Sequence, residues 1–294
     1  MHTHRLHTII IAMLLAIGNI CAQTPLEHPS LSIPSKIAPK YFGPNAFPVP
    51  DMLDGRTSDV WDVNLSWDSY IGTTPNCNED YTTCAFFKLT IPLFSPRVNF
   101  VLWGNLYEYY RCGEAINNYR RVKHEGTMTG SLTGDIYVST NFMVLMQEKN
   151  HIDLAIRAAL KTASGSDYER ARYYDSPGYF FDATFGREIK LPSSDVRFKI
   201  AASGGFLCWQ TDNGRQNDAV MYGVKLSMST QKLYLSAEYS GYVGWENDGD
   251  APMTLKANAS WSFNQFAINA GYQVGFVDWP FHKFSIGASY RFPL

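Results

Sequence analysis

The sequence predicts an all-β chain that closes as a transmembrane antiparallel β-barrel of about twelve strands, and three observations carry that prediction. Apolar and polar residues alternate with period two from about Val60 to the end. Many of the alternating segments run 11 to 15 residues, well beyond the five or six of a usual soluble strand. Their connections alternate between short turns and longer loops rich in charge and glycine. A soluble antiparallel sandwich would also alternate, but polar faces carrying Lys, Asn, Ser and Gln suit a wet lumen, and apolar faces with aromatic ends suit lipid.

Composition agrees. Aromatics make up 15% of the chain and charged residues only 18%, which argues against disorder. A formal charge of −2 supplies no basic field for neutralising phosphates, so nucleic acid is not an expected partner.

Residues 1–22 read as a secretory signal peptide: Arg5, an apolar run from Ile9 to Ile17, then small residues ending at Ala22. The run is shorter than the roughly 18 apolar residues a membrane helix needs. Cys21 is an alternative lipid-attachment cysteine, though Ile20 is bulky where such sites take a small residue.

Residues 23–56 hold seven of the 15 prolines, so this segment is expected to be extended, neither helix nor central strand. Tyr41, Phe42, Phe47, Val49, Met52 and Leu53 make residues 41–53 apolar enough to seek a surface, either in the lumen as a plug or on a periplasmic partner. A plain linker is the alternative. If the segment plugs the lumen, deleting residues 23–50 raises conductance.

Residues 57–294 form the barrel. Strands are predicted near 57–71, 82–94, 97–112, 129–147, 151–164, 178–191, 195–209, 218–229, 232–245, 252–263, 265–277 and 282–294. The stretch 232–245 shows the rule: Leu233, Leu235, Ala237, Tyr239 and Val243 oppose Lys232, Tyr234, Ser236, Glu238 and Ser240. Short turns fall at Ser95-Pro96, Glu148-Lys149-Asn150, Pro192-Ser193-Ser194, Thr230-Gln231 and Asn264. They define the periplasmic end of such a barrel.

In the last strand Phe284, Ile286, Ala288, Tyr290, Phe292 and Leu294 share one face. This resembles the C-terminal insertion signal of bacterial outer-membrane β-barrel proteins, with Leu294 in place of the terminal aromatic and Pro293 before it. The resemblance implies export, insertion from the periplasm into the outer membrane of a Gram-negative cell, and outer-membrane lipid and the barrel-insertion machinery as partners. It implies no substrate.

Alternation places Asp62, Asp68, Asp135, Asp153, Asp182, Glu188 and Glu238 inside, with Lys88, Arg157, Lys161, Lys190, Arg197, Lys199, Lys225, Lys232, Lys256, Lys283 and Arg291. Eleven bases against seven acids predict an anion preference, unless internal ion pairs fill the lumen. In architecture and charge sign this is similar to the twelve-stranded channels that pass acidic oligosaccharides. Trp103 and Trp209 point inward with Tyr107 and Tyr109, and the other tryptophans belong to an interfacial girdle.

Of the four mature cysteines, Cys77 and Cys84 are the disulfide candidates and Cys77 with Cys112 is the rival pairing; free structural thiols are the alternative, and Cys208 is as well read as free as bridged. No CxxC or His-rich spacing is present, so neither metal nor cofactor is expected. His124 and His282 fall near the external side but lack a His-x-Ser spacing, and no Gly-x-Ser-x-Gly elbow occurs. The expected function is a passive channel for small polar, anionic solutes. The alternatives are a closed barrel that binds periplasmic or surface proteins through its loops or N-terminal segment and, behind it, a lipid-acting hydrolase.

Overall fold

The computed structural model describes residues 38–57, 60–74, 79–93, 95–174, 176–192, 194–210, 216–245 and 247–292; residues 1–22, expected as a signal peptide, and Cys77 lie outside them. Thirteen strands follow one another: β1 (Asp62–Gly72), β2 (Asp80–Leu93), β3 (Ser95–Cys112), β4 (Met128–Leu132), β5 (Ile136–Leu145), β6 (Asp153–Lys161), β7 (Gly178–Lys190), β8 (Arg197–Gln210), β9 (Gln216–Ser229), β10 (Leu233–Gly244), β11 (Met253–Phe263), β12 (Phe266–Val277) and β13 (Phe281–Arg291). Two short helices, α1 (Glu114–Tyr119) and α2 (Gln147–Asn150), sit in connections.

Each strand pairs antiparallel with its neighbour, and β1 pairs with β13 from Asp62 opposite Arg291 to Gly72 opposite Phe281. That last pairing closes the sheet, so no barrel edge is left unpaired. Twelve strands form the wall. The thirteenth, β4, flanks only the loop-end half of β3, from Glu108 to Cys112, while β5 takes the turn-end half, from Val98 to Gly104.

The single strand predicted over 129–147 is thus broken at residues 133–135. Asp135 explains the break. Its carboxylate is buried, pairs with Lys161 at 2.8 Å, and accepts the backbone N–H groups of Ser164 and Gly165 at 3.1 and 2.7 Å. Satisfying those donors takes Asp135 out of the ladder.

The wall sorts its faces as alternation demands. Leu65, Phe142, Ile156, Phe185, Ile200, Leu226, Ile268 and Ile286 are exposed on the outside. An apolar belt this continuous exceeds the patches a soluble surface carries, and lipid is the solvent it fits. Trp61, Trp67, Trp245 and Trp261 are exposed with it. Trp279 departs from the expected girdle: it is 4% exposed, and its Nε1 donates to the Pro44 carbonyl at 3.0 Å.

Tyr107 and Tyr109 also depart from expectation. Ala85 pairs with Tyr107 and Phe86 with Asn105, so Leu106 is an extra residue in β3. This bulge reverses the parity of the rest of the strand. Tyr107 and Tyr109 turn outward, and Glu108, Tyr110 and Cys112 turn in, each fully buried.

Candidate functional site

The lumen is the site, and residues 38–57 run through it. Proline at four positions, Pro39, Pro44, Pro48 and Pro50, denies this segment a regular ladder, so it is held by side chains of the wall. At the loop end, Lys40 Nζ donates to Asp248 Oδ1 at 3.0 Å and the Gly43 N–H to the Ala171 carbonyl at 2.8 Å. Tyr242 Oη donates to the Phe47 carbonyl at 3.1 Å. Further down, the Met52 N–H donates to Glu238 Oε1 at 3.2 Å, and Asp51 and Asp54 meet Lys256 and Lys225, each at 2.6 Å. At the turn end, Arg56 contacts Glu148 at 2.5 Å and Asp153 at 2.8 Å, and Thr57 Oγ1 donates to the Pro96 carbonyl at 2.9 Å.

The wall makes room where the segment presses closest. Gly55 has φ +75°, in the left-handed region, and a Cβ there would meet Gly186 Cα at 3.1 Å. A Cβ on Gly223 would meet the Met52 sulfur at 2.5 Å. The segment's aromatics complete a core with the wall: Phe42 and Phe47 are buried against Tyr174, and Phe47 also against Trp209.

Beneath the loops, a buried polar hub ties segment, wall and loop together. Glu108, 0% exposed, accepts from Asn45 Nδ2 at 2.7 Å, from Tyr173 Oη at 2.8 Å and from Arg172 Nη2 at 2.6 Å. Tyr70 Oη donates to Asn45 Oδ1 at 2.9 Å, and Arg172 Nη2 reaches Thr82 at 2.8 Å. Burial opposes the Arg172 charge, but the Glu108 carboxylate leads the opposing groups, as a charge and as a hydrogen-bond acceptor, and the guanidinium pKa stays above its ordinary value. Beside this hub Arg120 grips both oxygens of Asp80, at 3.2 and 2.6 Å, a bidentate pair.

A cavity of about 710 Å³ lies alongside the segment. Its lining reaches Thr230, Gln231 and Lys232 in the turn-end connection between β9 and β10, and on the other side Asn45, Tyr70 and Trp279. Ser66, Ser260, Ser262, Ser285, Asn64 and Asn258 give it a small, polar wall.

Of the predicted lumen residues, Lys88, Trp103, Arg157, Lys225, Lys232, Lys256, Lys283 and Arg291 line the cavity. Glu238 lies in the wall between Lys225 and Lys256, at 3.8 and 3.4 Å. Lys161 is buried on Asp135, and Lys199 pairs with Asp153 at 3.3 Å, both outside the cavity lining. Lys190 and Arg197 are exposed at the turn-end rim, where Arg197 meets Glu188 at 3.5 Å.

The inward charge is largely paired. Arg157 meets Asp182 at 2.6 Å, Lys283 meets Asp68 at 2.7 Å, and Arg291 meets Asp62 at 3.6 Å. The cavity is lined by seven bases and five acids. Lys88 and Lys232 make no ion pair within 4 Å among the described residues, so the positive surplus resides on them.

Alternation missed Glu108 because of the bulge; the adjacent Gly104, a strand glycine, was its only sequence signal. Arg172, Arg120 and Asn45 sit in loops and in the segment, where period two says nothing. Cys84 is a free, buried thiol, as are Cys112 and Cys208, and Cys77 is not among the described residues. Both candidate bridges, Cys77 with Cys84 and Cys77 with Cys112, thus lie outside the described residues. His282 pairs with Tyr272 Oη at 2.7 Å, and His124 is exposed in the connection after α1.

No family model matches the chain, and no curated protein matches its sequence. Among solved structures the chain is similar to an outer-membrane channel from Pseudomonas putida F1, with a TM-score of 0.52 and 12% identity over 83% of this chain and 100% of that one. Similarity extends to the transport unit of the autotransporter AIDA-I from Escherichia coli, with TM-score 0.45, 11% identity and coverage of 88% and 100%. It extends also to the KdgM porin in complex with disordered oligogalacturonate, with TM-score 0.44, 5% identity and coverage of 79% and 99%. The closed twelve-stranded wall and the first of these likenesses together show the fold of the bacterial outer-membrane β-barrels.

Proposed function

We propose that this barrel is an outer-membrane channel for small polar solutes, with a preference for anions, in which residues 38–57 act as a plug. The observation that carries the reading is the cavity: about 710 Å³, walled by Ser and Asn, with a surplus of lysine. A barrel that served only as a scaffold has no need of a wet, polar interior. Small hydroxyl and amide side chains exchange hydrogen bonds with a solute at little cost, and unpaired lysines raise the local concentration of anions. Solute named for the KdgM porin supports an acidic carbohydrate as one class of cargo.

The segment narrows this path, so transport through the whole chain requires its displacement or a residual passage beside it. A second reading has its own observation. The Glu108 hub seals the loop end with fully buried groups, which suits a closed barrel that engages proteins through its loops. Single-channel current through the purified, refolded chain in a planar bilayer decides between them. Steady conductance with anion preference supports the channel; silence from a verified folded barrel, both with and without residues 38–56, overturns it.

A further inference from the structure

The strongest unexplained feature of the lumen is a cluster on three adjacent strands. Lys225 on β9, Glu238 on β10 and Lys256 on β11 lie in one cross-strand row, with Tyr234 on the same inward face of β10. The two lysine side chains are 13% and 7% exposed, and Glu238 is 3%. Left to itself this row holds two cations and one anion. A desolvated, unpaired ammonium is costly, so the row requires a further carboxylate.

The chain supplies it from the segment. Asp54 meets Lys225 at 2.6 Å and accepts from Tyr234 Oη at 3.2 Å, and Asp51 meets Lys256 at 2.6 Å. The two aspartates are unlike their partners in exposure. Asp51 is 73% exposed and Asp54 42%, and both line the cavity with Lys225, Tyr234 and Lys256. The lysines are thus fixed in the wall, and the carboxylates sit on its wet side, where another carboxylate can take their place.

We propose that Lys225, Tyr234 and Lys256 form a carboxylate-binding site, occupied in the resting protein by Asp51 and Asp54 as internal substitutes for a carboxylated solute. This deepens the channel reading and rests on it for its biological role, but the site binds whether or not the barrel conducts. Glu238 sets its limit: it keeps the row from binding anions without discrimination, and it holds the Met52 N–H at 3.2 Å.

The test is calorimetric titration of the full mature chain with succinate, with uncharged succinamide as control, in detergent where heat-modifiable mobility verifies folding. Asp51→Asn with Asp54→Asn should tighten succinate binding at least tenfold over the unaltered chain and leave succinamide unaffected. Adding Lys225→Gln and Lys256→Gln should abolish the gain. Equal affinity in the unaltered and the doubly substituted chain overturns the proposal, as does a gain that survives loss of both lysines. Should the double variant fail to fold, Asp51→Asn alone, at the more exposed carboxylate, must show the same direction of change. Conductance is recorded on the same preparations: binding without current defeats the channel and leaves the site, and current without binding does the reverse.

Discussion

Glu108 is the side chain on which the loop end of the lumen turns. It is fully buried, and its two oxygens receive Arg172, Tyr173 and Asn45. Removing one member of a buried ion pair leaves the other charged and unpaired, which costs about 3–5 kcal/mol. Glu108→Ala should therefore lower the denaturant midpoint of the refolded barrel markedly. Glu108→Leu combined with Arg172→Met should restore most of the loss, because an apolar pair strands no charge. If the double substitution is as harmful as the single one, the ion pair itself stabilises the end. Asn45→Ala should cost less, about 1–3 kcal/mol, since one neutral donor, Tyr70 Oη, and one carboxylate oxygen of Glu108 lose a partner. Sequence could not reveal this hub. Its carboxylate lies beyond a bulge that inverts the strand, and its cation lies in a loop, where side-chain direction follows no period.

At the scale of elements, what period two specifies is what the structure repeats. All twelve predicted strands are present within a few residues, because a strand with lipid on one face and water on the other can hold only one register. The two departures, the break at residues 133–135 and the bulge at Leu106, arise where a buried polar group takes precedence over the ladder: Asp135 serves Lys161 and a loop, and Glu108 serves Arg172. The N-terminal segment follows a different rule, apolar residues among prolines, which marks a surface-seeking chain without saying which surface. Gly186 makes it testable. A Cβ there would stand 2.9 Å from Lys199 Cε, the end of a flexible side chain, and 3.1 Å from the Asp54 carbonyl oxygen, so the backbone of the segment must give way. Gly186→Leu should therefore push residues 54–55 off the wall while the ladder of β7 with β6 and β8 persists. Protease cleavage within the segment, on a barrel that keeps its heat-modifiable mobility, is the expected result. An uncleaved segment would mean that the wall yields instead.

The whole molecule sets two solvents against one sheet, and its charge balance follows from what occupies the interior. With the segment in place, five of the cavity's seven bases are answered, by Asp51, Asp54, Asp62, Asp68 and Asp182, which leaves Lys88 and Lys232 as the surplus. Two of those five acids belong to the segment. Removing residues 38–56 therefore does two things at once: it widens the path, and it strips Asp54 from Lys225 and Asp51 from Lys256, leaving Glu238 as the one carboxylate the two lysines share. The wall loses no strand, since β1 begins at Asp62 and pairs with both β2 and β13. Conductance should rise severalfold, and the reversal potential in a salt gradient should move further toward anions than in the full chain. The two readouts need not move together. A larger conductance with unchanged selectivity would mean that bulk water screens the lysines once the lumen opens. Substituting Lys88→Glu and Lys232→Glu in the full chain isolates the charge term, because neither residue touches the segment's anchoring carboxylates. Selectivity should then shift toward cations at nearly constant conductance, and a potential that does not move would place the permeating ions away from these two lysines.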